Sequence, residues 1–146
     1  MDELDKKIVR VLQQDSRLSF TKIAERVGIS TATVIERVKK MQRSGIIRGY
    51  TALLDTSKIG MMTMIAMVRI KPEYSVTRFG EKISLLEEAC CVHNITGDFD
   101  LLVSLKCFGQ EECAAVIEKI KSIEGVERVD TYIVLKTMKE QLQIGL

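Results

Sequence analysis

Residues 30–33, Ser30-Thr31-Ala32-Thr33, place three hydroxyls and a methyl in a row just after Gly28-Ile29. Side chains this small let a backbone come close to a ligand, and hydroxyls bond to phosphate oxygens and base edges alike. Arg37, Lys39, Lys40 and Arg43 follow, cations of the type that neutralise phosphates. The combination suits contact with a polyanion. Covalent and metal chemistry are poorly served by comparison. His93 is the only histidine, Cys90, Cys91, Cys107 and Cys113 show no C-x-x-C spacing, and no Ser-His-Asp or Cys-His set is present. Adjacent Cys90 and Cys91 on a strand point to opposite faces, a poor geometry for sharing a metal. The expectation is no enzyme, no metal and no cofactor, with His93 packed in a strand and the cysteines buried and reduced. A chain that senses metal or oxidant through its thiols is the competing reading.

The formal charge of +2 hides a division. Residues 1–50 carry 11 Lys or Arg against 6 Asp or Glu, a net of +5, and residues 51–146 carry 11 against 14, a net of −3. A basic front and a mildly acidic back assign any polyanion to the front. No stretch is long and apolar enough to cross a bilayer, and Met1–Lys7 lacks the basic-then-apolar form of a signal peptide. A soluble, cytoplasmic protein is expected.

Helices must hold the groups in 30–43. Leu4, Ile8, Val11 and Leu12 recur at helical spacing, and Asp15-Ser16-Arg17 breaks the run. Ser19 caps a second helix carrying Ile23, Ala24 and Val27, which Gly28 ends. Ser30 caps a third, with Val34, Val38 and Met41 on one face and Gly45 past its end. Gly28 suits a left-handed elbow, Ala24 lets the helices approach and Ile29 plugs the join, as in a helix-turn-helix. In that motif the start of the second helix enters the major groove. Ser30, Thr31, Ala32 and Thr33 would then meet bases or phosphates, Arg37 a guanine or phosphate, and Lys39, Lys40 and Arg43 the phosphate backbone. The expected partner is double-stranded DNA. A plain helical hairpin, with Glu36 and Lys40 as a surface pair, fits the same spacing.

After Gly45 the period changes. Residues 47–55 read as a packed, extended strand and 55–60 as a connection. The expected division is 1–47 for a helix-turn-helix, winged-helix-like domain, 48–60 for a connecting strand or linker, and 61–146 for a second domain. Strand patterns at 64–70 and 101–107 are each followed by a helix with apolar steps of three, four and three (Val76, Phe79, Ile83, Leu86; Cys113, Val116, Ile120, Ile123). Each helix leads to a further strand, 90–96 and 128–135. The order βαββαβ is ferredoxin-like, an antiparallel sheet with both helices on one face, and the class is α+β. The other sheet face lacks cover, so a homodimer or larger assembly is expected. Met61, Met62, Met64 and Met67 suit a subunit interface, with oxidation sensing as the alternative.

Val27-Gly28-Ile29-Ser30, the run Val34 to Met41, Ser44 to Ala52, the start Leu4 to Arg17 and Gly97-Asp98-Phe99-Asp100-Leu101-Leu102-Val103 closely resemble the Lrp/AsnC family of leucine-responsive, or feast/famine, transcription regulators. The resemblance runs through nearly the whole chain in order. It implies an N-terminal DNA-binding domain and a C-terminal ferredoxin-like domain that dimerises through its sheets, with dimers assembling to octamers. It also implies an amino-acid effector bound near the Gly-x-x-Asp turn, here Gly97, Asp98, Phe99 and Asp100, with Thr131 and Tyr132 of the last strand as further lining. A short turn with N–H groups and a carboxylate matches the two charged ends of an amino acid. A hairpin that needs Gly97 for its backbone alone is the alternative.

Overall fold

The computed structural model describes every residue except Leu142 and forms two compact units, Met1–Leu53 with Lys139–Leu146, and Leu54–Met138. Residues 139–146, counted by the sequence reading with the second domain, lie in the first unit.

The first unit holds α1 (Glu3–Gln14), α2 (Phe20–Val27) and α3 (Thr31–Arg43). Each start is capped as its residue types dictate. Asp2 and Asp5 form a reciprocal capping box at α1, while the Ser19 and Ser30 hydroxyls accept from Lys22 N–H and Thr33 N–H. Gly28 ends α2 at φ +79°, a left-handed conformation that costs glycine little. Its N–H and that of Ile29 both return to the Ala24 carbonyl. Ile8, Leu12, Ile23, Ala24, Val34, Val38 and Met41 form the core, with Ile29 and Ile47 packed at its edge. Each fully buried aliphatic side chain here stabilises the fold by about 1.5–3 kcal/mol. The final segment is pinned to α1: the Gln143 amide donates to the Gln13 carbonyl (2.6 Å) and Ile144 N–H to Gln13 Oε1 (2.7 Å). An apolar cleft of about 730 Å³ lies between this tail, α1 and residues 46–53.

The expected strand at 47–55 is not formed. Among the described residues the segment pairs with no strand, and Tyr50, Leu53 and Leu54 are exposed. Residue types that favour extension supply no edge to bond to, and a strand needs one.

In the second unit a 3₁₀ turn (Thr56–Ile59) leads to β1 (Met62–Ile70), α4 (Val76–Ile83), β2 (Ala89–Asn94), β3 (Leu101–Cys107), α5 (Gly109–Lys121) and β4 (Val126–Ile133). The antiparallel sheet has the order β2-β3-β1-β4, the ferredoxin-like arrangement expected from the repeat. Burial alternates along β1 from Thr63 on and along all of β3, with Met64, Ala66, Val68, Ile70, Leu101, Val103 and Leu105 turned into one core with Phe79, Ile83, Val116 and Ile120. Thr63, Ile65, Met67, Leu102 and Ser104 lie on the opposite, half-buried face.

The cysteines depart from expectation. Cys107, the last inward residue of β3, and Cys113, in the second turn of α5, form a disulfide with Cα atoms 5.5 Å apart. The strand-to-helix turn folds the six-residue separation back on itself, which the spacing alone does not reveal. Cys90 and Cys91 are exposed rather than buried, at a register shift of the edge strand β2. His93 is exposed too, because it sits opposite Leu102 on the face that no helix covers.

Candidate nucleic-acid interface and effector loop

Val34, Val38 and Met41 seat α3 on the other two helices, which turns Ala32, Glu36, Lys39 and Arg43 outward, with Lys40 beside them. All five are exposed. Ser30 Oγ accepts from Thr33 N–H at 3.1 Å and lies 2.8 Å from Thr33 Oγ1, so both hydroxyls also serve the cap. Thr31 is half-buried in the first turn. Exposed Ala32 leaves this end of the helix without bulk, and the first-turn N–H groups with the helix dipole favour an anion.

Arg37 is placed otherwise. Its Nη1 donates to Asp2 Oδ2 at 2.6 Å and to Asp5 Oδ1 at 2.8 Å, so the guanidinium is committed to α1 and does not stand on the outward face. The hydrogen bond from Arg37, followed by the one from Asp5 N–H, holds the Asp2 carboxyl down at about 2, against an ordinary 3.8. Sequence reading missed this, because residues more than thirty positions apart show no periodic signal. Glu36, exposed like Lys40 one turn on, stands in the centre of the outward face. A carboxylate in that place can accept from cytosine N4 in a major groove.

In the second unit, Gly97, Asp98, Phe99 and Asp100 are the last four residues of the loop 95–100 between β2 and β3. Gly97 has φ +117°, so it is required by the backbone whatever else the loop does. Asp100 is a staple: its Oδ2 accepts from Ile70 N–H at 2.8 Å, its own N–H donates to the Val68 carbonyl, and its carbonyl accepts from Ile95 N–H. Two guanidinium groups lie over the Phe99 ring, with Arg128 Cζ at 5.4 Å from its centroid and Arg69 Cζ at 6.0 Å. Arg69 Nε donates to the Asp98 carbonyl (2.6 Å), and Arg128 is bidentate to Asp130 (2.7 and 2.6 Å). The Asp98 side chain is exposed.

Thr131 and Tyr132 do not come together. Thr131 is opposite Ala66 and shares its helix-side face, whereas Tyr132 is opposite Ile65 on the open face. Neighbouring strand residues cannot line one face of a sheet. Among the described residues no cluster of His, Cys, Asp and Glu is arranged to hold a metal, and no helix is long and apolar enough to cross a membrane.

Residues 1–42 match the AsnC-type helix-turn-helix domain and residues 63–144 the Lrp/AsnC ligand binding domain. The chain belongs to the Lrp/AsnC family. It is 35% identical to the HTH-type transcriptional regulator FL11 of Pyrococcus abyssi, over 100% of this chain and 97% of that protein. It is 33% identical to the leucine-responsive regulatory protein of Rhizobium meliloti, over 100% of this chain and 96% of the other. Among solved structures, an AsnC family transcriptional regulator from Agrobacterium tumefaciens superposes with a TM-score of 0.86 at 29% identity, covering 99% of this chain and 97% of that one. A transcriptional regulator from Neisseria meningitidis, solved as its L-Met complex, gives 0.87 at 26% identity, with coverage of 99% and 96%. This Lrp/AsnC chain is thus a transcription regulator rather than an enzyme, with a DNA-binding helix-turn-helix joined to a ligand-binding domain.

Proposed function

We propose that this regulator reads double-stranded promoter DNA with the outward face of α3 and is modulated by a free amino acid bound at the β2–β3 loop. The observation that carries the first part is the exposure of Ala32, Glu36, Lys39 and Arg43 on one face, beside the Ser30–Thr33 cap. Glu36 and the small residues 30–33 address base edges, while Lys39, Lys40 and Arg43 neutralise phosphates. The assembly is a cytoplasmic homodimer closed over the open sheet face, with octamers built from dimers. Its paired recognition helices span half-sites about one helical turn apart, or a multiple of that.

The effector reading rests on the loop's chemistry and is supported by the L-Met complex of the Neisseria relative. Asp98 suits the ammonium of an amino acid and Arg69 its carboxylate. Asp100 and Thr131 contribute through the fold, Asp100 by anchoring the loop, and Tyr132 belongs to the open face.

A thermal-shift series with each of the twenty amino acids tests this. One of them, at a hundred times its dissociation constant, should stabilise the native protein by about 2.7 kcal/mol. Asp98→Ala should abolish that shift. A panel in which none raises the melting temperature sinks the effector reading.

A further inference from the structure

We infer that Arg37 is a positioning residue of the recognition helix, which sets how α3 is presented through the carboxylates of α1 rather than by touching DNA. This rests on α3 being the DNA-reading helix.

The bonding at the α1 N-terminus leaves Arg37 little freedom. Asp2 Oδ1 accepts from Asp5 N–H (2.8 Å) and Asp5 Oδ2 from Asp2 N–H (3.0 Å), the two halves of the capping box. The remaining oxygens, Asp2 Oδ2 and Asp5 Oδ1, both accept from Arg37 Nη1. All four carboxylate oxygens are therefore engaged, two in capping the start of α1 and two in holding α3. Asp5 is the one charged residue buried among the described residues, at 7% exposure. A phosphate that drew Arg37 away would leave that buried carboxylate without its cation, which is costly. Val34, Val38 and Met41 fix which side of α3 faces the core. Apolar contacts tolerate sliding and rotation, whereas a charge-assisted bond at a defined atom does not. Arg37 is adjacent to Glu36, so the latch acts directly beside the centre of the outward face.

The two roles predict opposite results when the acids are neutralised. The probes are a duplex of about 25 base pairs selected from a random pool by the wild-type protein, long enough for two half-sites, and a scrambled duplex of the same composition. As a positioning residue, Arg37→Gln lowers the ratio of selected to scrambled affinity tenfold or more. Exposed Asp2→Asn lowers it as well, and the double variant is no worse than Arg37→Gln alone. The slope of log K against log salt stays unchanged. Leu12→Ala, a core change far from the latch in sequence, keeps the ratio despite its lower melting temperature. If Arg37 is a phosphate contact instead, Arg37→Gln reduces the slope by about 0.9 and Asp2→Asn raises the ratio or leaves it alone. Either result overturns the inference. Should Arg37→Gln fail to fold, the sign of the Asp2→Asn effect decides. An unchanged ratio in the variants removes only the Arg37 role, whereas a wild-type protein that selects no duplex removes the DNA-reading proposal with it.

Discussion

In the helical unit the candidate contact residues gather on one face of one helix, while in the sheet unit they are divided between a tied loop and two faces of a strand. Both units use one of the candidates internally. Arg37 is bonded to the α1 acids, and Asp100 staples the β2–β3 loop to β1. The difference lies in what is left after that use. A helix repeats every 3.6 residues, so losing one position leaves the outward row intact. A loop of six residues, 95–100, whose second carboxylate is tied to β1 keeps one carboxylate, Asp98, to offer. On the proposed reading, recognition in the first unit is therefore redundant, and in the second it is concentrated in few atoms.

The comparison can be broken most forcefully at Gly125. A Cβ there would come within 2.7 Å of the Tyr74 ring and 2.8 Å of Phe79. Gly125→Val should destabilise the second unit by about 4 kcal/mol through overpacking and strain. Urea unfolding read separately at Tyr74 and in the helical unit should show only the former transition move; a common shift would mean the units unfold together. Ile8→Ala is the mirror experiment. It empties a fully buried position of the helical core and should cost about 3 kcal/mol, with the sheet transition unmoved.

Reducing the Cys107–Cys113 disulfide should lower the second unit's stability by about 2 kcal/mol, a figure that follows from its short closed loop. Equal unfolding curves with and without dithiothreitol would argue against it. Ser30→Ala removes the α3 cap and should cost about 1 kcal/mol, readable as a lower melting temperature of the helical unit alone. The smallest effect is in acid. Asp2 is held at about 2 in the fold, below the ordinary 3.8. A depressed acid favours the native state above its unfolded pKa, so this contribution is whole above about pH 4 and fades as pH falls toward about 2. Arg37→Gln should move the acid limb of the helical unit upward, as followed by circular dichroism; an unmoved limb would assign the latch no part in it.

Local and periodic features were legible in the sequence. Ser19, Gly28 and Ser30 announced helix ends through their own backbone chemistry, and the matched apolar steps after 64–70 and 101–107 revealed the βαββαβ order. Features that depend on distant pairing were not. The Arg37 latch joins residues 35 and 32 positions apart, and the Cys107–Cys113 bond depends on how tightly the chain turns between them. The segment 47–55 shows the converse. Its residue types favour a strand, yet pairing is a property of two segments, and the segment's own sequence names no partner. Thr131 and Tyr132 failed as a set for a reason the sequence did contain, since adjacent residues on a strand must part to opposite faces.

The pinned tail has a consequence for synthesis. The bonds from Gln143 and Ile144 to Gln13 span 130 and 131 residues of chain. A ribosome delivers α1 to α3 early, and their caps and core need nothing further. The cleft beside α1 nevertheless stays open along its tail edge until the whole sheet unit has been translated. A nascent helical bundle thus emerges able to fold yet with apolar surface bared for several seconds at ordinary elongation rates. During that interval the unfinished chain lacks the edge of the cleft that Gln143, Ile144 and Leu146 supply in the finished fold.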